Sequence, residues 1–245
     1  MRIKEKITDI DYQKTRQFFK NRAGKFSDDN PYSVTMYQDN NKKLVEERNQ
    51  KETNKLCPLL QLNSESKVLD VACGIGRWAD SLPVDIKEYC GVDFSKELIQ
   101  IANQRNKKEN FYFYEGAAHE IESVLYKNDK GIYNRILLVG ILMYLNDREL
   151  GDTLEQIERV CDEHAVICIR EPVGLKERLT LKDFFSDELK DDYNAIYRTC
   201  HEFQEFFDKS FLKKGFELRH QGFLFDEDAL NNRKETAQYF YILER

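Results

Sequence analysis

The fold is decided by residues 67–79, which read KVLDVACGIGRWA. An apolar run passes into a turn that contains Gly74 and Gly76, and residues typical of helices follow. This order predicts a strand, a tight turn and a helix. Because glycine has no Cβ, both glycines allow positive φ and let a ligand approach the backbone closely. We expect the carboxylate of Asp70, at the end of the strand, to face a ligand cation or a backbone donor.

The composition is that of an ordinary globular protein with a strongly charged surface. The chain has 245 residues, of which 33% are charged, and a formal net charge of −6. This charge disfavours a nucleic-acid partner, since phosphate binding favours a basic surface. No apolar run approaches the roughly 18 residues that span a bilayer, so we expect no membrane insertion.

The N-terminus and the cysteines indicate the compartment. Residues 1–6, MRIKEK, lack the apolar core of a secretory signal. The six cysteines are scattered and form no C-x-x-C pair. We therefore expect reduced thiols and no zinc or other metal site. Both observations predict a cytoplasmic protein.

Further apolar runs follow the glycine turn, at residues 89–93, 111–115, 136–139 and 165–169. They are continuous rather than alternating, which is typical of parallel strands covered by helices on both faces. Their alternation with helical patterns predicts a doubly wound α/β sheet with right-handed crossovers. Two late runs, from Gly215 and from Tyr239, have no helix between them and predict an antiparallel hairpin. We therefore predict a seven-stranded, mostly parallel sheet with an antiparallel C-terminal strand.

The glycine turn fits two classes of nucleotide site. Gly74, Gly76 and Ala79 satisfy G-x-G-x-x-A, a pattern of nicotinamide and flavin dinucleotide sites. Asp70 would repel a dinucleotide pyrophosphate there but would attract a ligand with a positive charge. Asp93, at the end of the next strand, suits ribose hydroxyls in either class.

The same stretch resembles the first motif of the class I S-adenosylmethionine (SAM) methyltransferases, V-L-D-x-x-C/G-G-x-G, and the motif order over residues 44–172 is similar to theirs. The resemblance implies SAM as the cofactor and a Rossmann-like fold. It implies a single domain over 1–245 with an N-terminal helical cap, a cofactor-binding core, an inserted helical substrate cap and a C-terminal β-hairpin, at 1–63, 64–172, 173–212 and 213–245. The N-terminal helices either fold over the ligands or simply pack on the sheet.

The resemblance also implies the cofactor-binding residues, which are Asp70, Ala72, Gly74, Gly76, Asp93, Phe94, Ala117, Ala118, His119 and Gly140. The turn glycines would meet the methionine part of SAM, and Asp93 would meet the ribose hydroxyls. Phe94 would stack on the adenine. Ala117 stands where the family usually has an acidic residue. That departure leaves the backbone N–H of Ala118 and the ring of His119 to contact the adenine.

Residues 140–144 bear on the methyl acceptor. They read GILMY in place of the D/N-P-P-Y/F/W signature of the family's nucleic-acid amine methyltransferases, and are similar to the small-molecule group. Arg170 and Glu171 follow the last parallel strand, at the edge where open α/β sheets bind ligands. His201 is the best candidate for a general base in the insertion. The candidate catalytic residues are therefore Tyr144, Arg170, Glu171 and His201.

The insertion supplies candidate substrate-binding residues. Tyr193, Tyr197 and Arg198 fall near helical spacing and predict one face of a cap helix. This segment, and residues 15–36 with Arg22, are similar to segments of methyltransferases from surface-polysaccharide gene clusters. The resemblance implies transfer to an oxygen of a sugar, nucleotide-linked or phosphate-derived precursor of a capsule or O-antigen. The arginines among these residues suit an anionic acceptor.

Other functions remain open at this point. One is N-methylation of an amino sugar or another small amine. A second is a non-catalytic partner protein with the SAM-binding fold. The absence of the usual acidic residue at Ala117 supports it. A third is a tRNA or rRNA methyltransferase, which the net charge disfavours. We expect a small-molecule methyl acceptor as the partner, and the sequence leaves a homodimer open.

Overall fold

The glycine turn follows a central strand of a seven-stranded sheet. The computed structural model describes residues 1–82, 85–231 and 233–245. The strands are β1 (Arg2–Lys4), β2 (Lys67–Val71), β3 (Glu88–Asp93), β4 (Phe111–Glu115), β5 (Tyr133–Val139), β6 (Cys161–Gly174), β7 (Leu179–Ser186), β8 (Asp191–Tyr197), β9 (Glu217–Phe223) and β10 (Thr236–Glu244). The helices are α1 (Tyr12–Ala23), α2 (Ser33–Met36), α3 (Lys42–Leu56), α4 (Arg77–Ser81), α5 (Lys96–Arg105), α6 (Ile121–Lys127), α7 (Asp147–Arg159) and α8 (Cys200–Ser210).

The main sheet has the strand order β4-β3-β2-β5-β6-β10-β9. The first five strands of this order are mutually parallel, and β10 is antiparallel to both of its neighbours. The predicted seven-stranded doubly wound sheet, with its antiparallel strand from the C-terminal hairpin, is confirmed. None of the described helices has the length and apolar character that crossing a bilayer would require.

Helices cover both faces of this sheet, which explains why its strands read as continuous apolar runs. Leu69 and Leu138 belong to a buried cluster with residues of α6, α7 and α8. Their chain neighbours Val68 and Leu137 belong to a second cluster, with residues of α3, α4 and α5. Alternate residues of each strand therefore serve opposite cores, and both sets must be apolar.

The insertion after β6 differs from the predicted helical cap. β7 and β8 form an antiparallel hairpin, and β1 from the N-terminus joins β7 to complete a three-stranded sheet. The prediction was wrong because residues four apart share a face in a strand as well as in a helix. Tyr193 and Tyr197 therefore face the same side of β8, as they would on a helix. The helix that follows, α8, packs its Phe203 and Phe207 into the core of the main sheet.

A buried ion pair ties the N-terminal segment to this sheet. Glu52 of α3 is 1% exposed and pairs with Arg77 of α4 and, at 2.8 Å, with Arg170 of β6. Arg77 also donates to the side chain of Asn49, at 2.7 Å. Burial alone would raise the pKa of Glu52, but the two guanidinium groups outweigh it and hold that pKa below its usual value. The carboxylate is therefore charged at neutral pH, and it joins three elements.

We predict that Glu52→Gln lowers the free energy of unfolding by about 3 kcal/mol, because it leaves two buried guanidinium groups without a counter-charge. Urea denaturation at pH 7 measures this. The matched control is Glu47→Gln, an exposed carboxylate of the same helix, which we expect to change stability by less than about 0.5 kcal/mol.

The same measurement has a pH dependence of known sign. Because the pKa of Glu52 is lowered by folding, its stabilisation is complete above the unfolded-state pKa and is lost as the pH falls through the folded-state pKa. The difference in the free energy of unfolding between the wild type and Glu52→Gln should therefore become smaller as the pH is lowered. A difference below about 1 kcal/mol at pH 7 would contradict the assignment.

Candidate functional site

A cavity lies at the carboxyl ends of the central parallel strands. It is lined by residues at or after the ends of β2, β3, β5 and β6, by α3, by residues 35–37 at the end of α2, and by β8. Strands β3 and β5 flank β2 on opposite sides, so the order in which strands are added to the sheet reverses here. In open α/β sheets such a switch point forms the ligand crevice.

The glycine turn forms one wall of the cavity. Gly74 and Gly76 have φ of +56° and +78°, and Ala72 is also left-handed, at +62°. A Cβ on Gly74 would lie 2.7 Å from Cγ2 of Thr35, so only glycine allows the N-terminal segment to lie against the turn. The backbone N–H groups of Ala72 and Cys73 both donate to the carbonyl of Val92, which fixes the turn to β3.

Asp93 stands beside this turn at the end of β3. Its two carboxylate oxygens accept the backbone N–H groups of Gly74, at 3.0 Å, and Ser95, at 2.8 Å. Burial raises the pKa of Asp93 to about 6, although both N–H groups act in the opposite direction. The carboxylate lines the cavity and has further lone pairs for hydroxyl donors.

Asp70 lies deeper, at the end of β2. It is buried, lines the cavity and accepts a hydrogen bond from the hydroxyl of Tyr89. Burial raises the pKa of Asp70 to about 7, which outweighs the lowering by that hydrogen bond and by Arg77. A cation bound nearby would favour the charged carboxylate, as predicted for this position.

The residues predicted to hold the adenine are only partly brought together. Phe94 lines the cavity and meets Phe19 edge to face, with ring centroids 5.7 Å apart. Ala117, Ala118 and His119 lie outside the cavity lining, on and before a short 3-10 helix, and the side chain of His119 is exposed.

Gly140 follows β5, the neighbour of β2, and lines the cavity. Its φ is +73°, its N–H donates to the carbonyl of Arg170 at 2.8 Å, and a Cβ there would lie 3.1 Å from a guanidinium nitrogen of Arg170. Arg170 itself lines the cavity, but it shares the carboxylate of Glu52 with Arg77, and it also donates to Gln238 at 3.1 Å.

Glu171 was predicted as a catalytic residue, but it does not line the cavity. Its fully buried carboxylate accepts the backbone N–H groups of Ile141, Leu142 and Met143, at 2.7, 2.8 and 3.2 Å. Burial raises the pKa of Glu171 to about 7, against the effect of these donors. Its role in the structure is to shape the loop that carries Tyr144.

Three tyrosines meet on the other side of the cavity. The hydroxyl of Tyr144 is hydrogen-bonded to those of Tyr37 and, at 2.9 Å, Tyr193. The rings of all three line the cavity together with Tyr197. Burial raises the pKa of Tyr37 to about 12 and the pKa of Tyr144 well above its usual value. These hydroxyls are therefore neutral near pH 7 and act as hydrogen-bonding groups.

Two predicted substrate-binding arginines are committed to the protein itself. Arg22 is 1% exposed and binds Asp39, at 2.6 and 2.7 Å, and the carbonyl of Val34. Arg198 is fully buried and binds Asp147 and the carbonyls of Leu142 and Leu145. Neither lines the cavity. Arg22 lies in α1 and Arg198 directly follows β8, but the guanidinium groups of both hold loops of the protein itself in place.

His201 is also absent from the cavity lining. It lies in the first turn of α8, its side chain is 85% exposed, and its nearest acid is Glu205, at 3.9 Å. The predicted helical cap would have turned it toward the tyrosines, whereas the actual β-hairpin ends before it.

Sequence reasoning missed several cavity residues, among them Tyr37, Arg48, Glu52, Arg77 and Gln238. Tyr37 lies in an irregular turn with positive φ, where no periodicity marks it. Arg48 and Glu52 lie on a helix that reads KKLVEERNQKETNKL, in which charged residues are spread along the whole length. The i,i+4 spacing of these two was visible, but nothing local distinguished them from solvent-exposed charges.

The site can now be compared with known proteins. The chain matches the family model of the methyltransferase domain over residues 62–238. No curated protein sequence matches it. Its fold is similar to that of magnesium protoporphyrin IX methyltransferase (ChlM) from Synechocystis PCC 6803 with bound SAM, with a TM-score of 0.62, 13% identity, and coverage of 98% of this chain and 99% of that chain.

Two further solved structures are similar. The N-methyltransferase NodS from Bradyrhizobium japonicum WM9, in complex with S-adenosyl-L-homocysteine (SAH), has a TM-score of 0.61 and 13% identity, over 95% of this chain and 98% of that chain. Phosphoethanolamine N-methyltransferase 1 from Haemonchus contortus, with phosphoethanolamine and SAH, has a TM-score of 0.66 and 17% identity, over 94% of this chain and 48% of that chain.

At these identities the solved structures establish the shared fold, and the family model establishes the family because it spans most of the chain. The sequence motif, the glycine turn and the two buried aspartates agree with that family. The chain belongs to the methyltransferase-domain family and is a methyltransferase with S-adenosylmethionine as its cofactor.

Proposed function

We propose that this methyltransferase acts on a small molecule held in the partly covered cavity. The observation that carries the proposal is the N-terminal segment that covers part of the cavity. The N-terminal segment lies against the glycine turn through Thr35, and its Tyr37 is hydrogen-bonded to Tyr144 at the wall of the cavity. A polymer would have to displace this cover, whereas a small acceptor fits beneath it. Exclusion of water also favours the transfer of an activated methyl group.

SAM would lie across the carboxyl ends of β2 and β3. In this proposal the turn from Ala72 to Gly76 receives the methionine part, with Asp70 behind it, and Asp93 accepts the ribose hydroxyls. Phe94 contacts the adenine, and Ala117, Ala118 and His119 remain proposed neighbours of its edge. Gly140 borders the sulfonium end.

The chemistry needs little from the protein beyond positioning, since SAM supplies an activated methyl group. The acceptor must be aligned with the methyl–sulfur bond at close range. We propose that Tyr144, with Tyr37 and Tyr193, hydrogen-bonds the acceptor. Their raised pKa values argue for positioning rather than for removal of a proton. An anionic acceptor oxygen would need no base at all.

The acceptor class remains a proposal. The first candidate acceptor is an oxygen of a sugar, nucleotide-linked or phosphate-derived precursor of a capsule or O-antigen. The similarity of residues 15–36 and of the insertion to methyltransferases from surface-polysaccharide gene clusters supports it. N-methylation of an amino sugar or another small amine is the second candidate, and the likeness to two N-methyltransferases favours it. A non-catalytic role as a partner protein is the third.

We also propose a cellular compartment for the protein. The cysteines at all six positions are free, and four are buried, which supports a reducing compartment such as the cytoplasm. A homodimer stays a prediction, and sedimentation measurements would decide it.

The central experiment pairs binding with turnover. Calorimetry should detect SAM and SAH binding, and radiolabelled SAM should transfer its methyl group to a member of a panel of nucleotide sugars, phosphorylated small molecules and amines. Binding without transfer to any of them would favour the partner-protein alternative. Failure to bind SAM at high micromolar concentration would contradict the proposal.

We predict that Asp93→Asn weakens SAM binding about 10- to 100-fold, since hydrogen bonds to a charged group contribute roughly 1.5–3 kcal/mol. Calorimetry at pH 7.5 measures the change. Asp208→Asn, an exposed carboxylate of α8, serves as control and should leave the affinity unchanged.

The pH dependence of SAM affinity offers a second test of the same carboxylate. Because the pKa of Asp93 is raised to about 6, the carboxylate gains a proton as the pH falls below that value and can no longer accept from both hydroxyls. Wild-type affinity should fall below about pH 6, and Asp93→Asn should lack that inflection. An identical pH profile in both proteins would remove Asp93 from the ribose contact.

We also predict that His201→Asn leaves turnover within about twofold of wild type, because an exposed side chain outside the cavity cannot reach the acceptor. Steady-state methyl transfer with the best acceptor of the panel measures this. A loss of tenfold or more with SAM binding intact would restore His201 as the general base.

A further inference from the structure

The cavity contains three arginines whose surroundings differ. Arg77 and Arg170 share the carboxylate of Glu52. Arg48, one turn before Glu52 on α3, is 5% exposed and lines the same cavity. Among residues 1–82, 85–231 and 233–245, it has neither an ion pair nor a hydrogen bond, and its buried Nε is unsatisfied.

An unpaired guanidinium at such a position is costly. Burial of a charge without a partner carries a large desolvation penalty. Here burial lowers the pKa of Arg48 and outweighs the attraction of Glu188, which is the next-largest influence. The positive charge of Arg170 lowers the pKa further, and Glu47 raises it. Arg48 therefore occupies a site that is electrostatically incomplete until an anion binds.

Arg48 lines the cavity on α3, and its electrostatic neighbours include Glu188 and Arg170. The carboxylate of Glu188, between β7 and β8, accepts the backbone N–H of Gln38 at 2.9 Å. Gln38 follows Tyr37, a member of the tyrosine cluster. The tyrosines are the groups proposed above to hold the acceptor, whereas Asp70 and Asp93 are proposed to hold SAM.

We propose that Arg48 binds an anionic group of the methyl acceptor, a carboxylate or a phosphate. The planar fork of a guanidinium matches either group with two parallel hydrogen bonds. The tyrosine hydroxyls beside it would hold the reacting part of the same molecule. This inference rests on the proposed function, because it assigns the anion to the acceptor.

The test uses SAH-saturated full-length protein, so that the carboxylate of the cofactor already occupies its own place. Inorganic phosphate and acetate serve as probes, each compared with chloride at matched ionic strength. At about ten times its dissociation constant, the preferred probe should raise the wild-type Tm by about 4 °C. The stronger of the two responses identifies phosphate or carboxylate as the recognised group.

Arg48→Gln should abolish this rise and leave the affinity for SAH within about twofold of wild type. Arg148→Gln, an exposed arginine of α7, is the matched control and should retain the full response. Arg48→Lys keeps the charge without the fork, and should retain a smaller response. Without any probe, Arg48→Gln should melt no lower than wild type, because it removes an unpaired buried charge.

The contrary outcomes are distinct. A tenfold or greater loss of SAH affinity in Arg48→Gln would assign Arg48 to the cofactor carboxylate and overturn the inference. The inference would also be overturned if the wild-type protein bound SAH but its Tm responded to neither probe. In that case the proposed function would still stand. A wild type that does not bind SAH contradicts the proposed function, and probe titrations without SAH then decide whether Arg48 binds an anion at all.

Discussion

The pairing of Glu52 with Arg77 and Arg170 is the interaction on which the rest of the site depends. A fully buried carboxylate is stable as a charge only when its counter-charges stay in place. The elements α3, α4 and β6 therefore cannot shift independently. The N-terminal segment is held over the sheet by this pair, and Arg48, one turn away on the same helix, is held at the cavity by it.

The cavity is partly covered by the N-terminal segment through two contacts. The missing Cβ of Gly74 admits Thr35, and the hydroxyl of Tyr37 reaches Tyr144. The loop that carries Tyr144 is itself shaped by two buried charges, since Glu171 accepts three of its N–H groups and Arg198 donates to two of its carbonyls. Charges that are conspicuous in the sequence thus support the backbone around the reacting groups.

Much of the fold could be predicted, because a strand buried on both faces leaves a continuous apolar run wherever it occurs. The insertion could not, since the spacing of Tyr193 and Tyr197 fits one face of a strand and of a helix equally. The edge position of Glu171 was also predicted correctly, but position does not fix direction. A side chain at a strand end can face the crevice or the neighbouring backbone, and here the N–H groups of the loop after β5 decided it by bonding to the carboxylate.

The sequence by itself determined the α/β sheet, the glycine turn and the places of Asp70 and Asp93 at strand ends, because each of these follows from patterns that are local in the chain. Only the tertiary structure decided which charges are free to bind a ligand. Arg22 and Arg198 find partners within the protein, whereas Arg48 has none among the residues that the structure describes. Burial and pairing arise from contacts between segments far apart in the chain, so no local pattern could distinguish these three arginines.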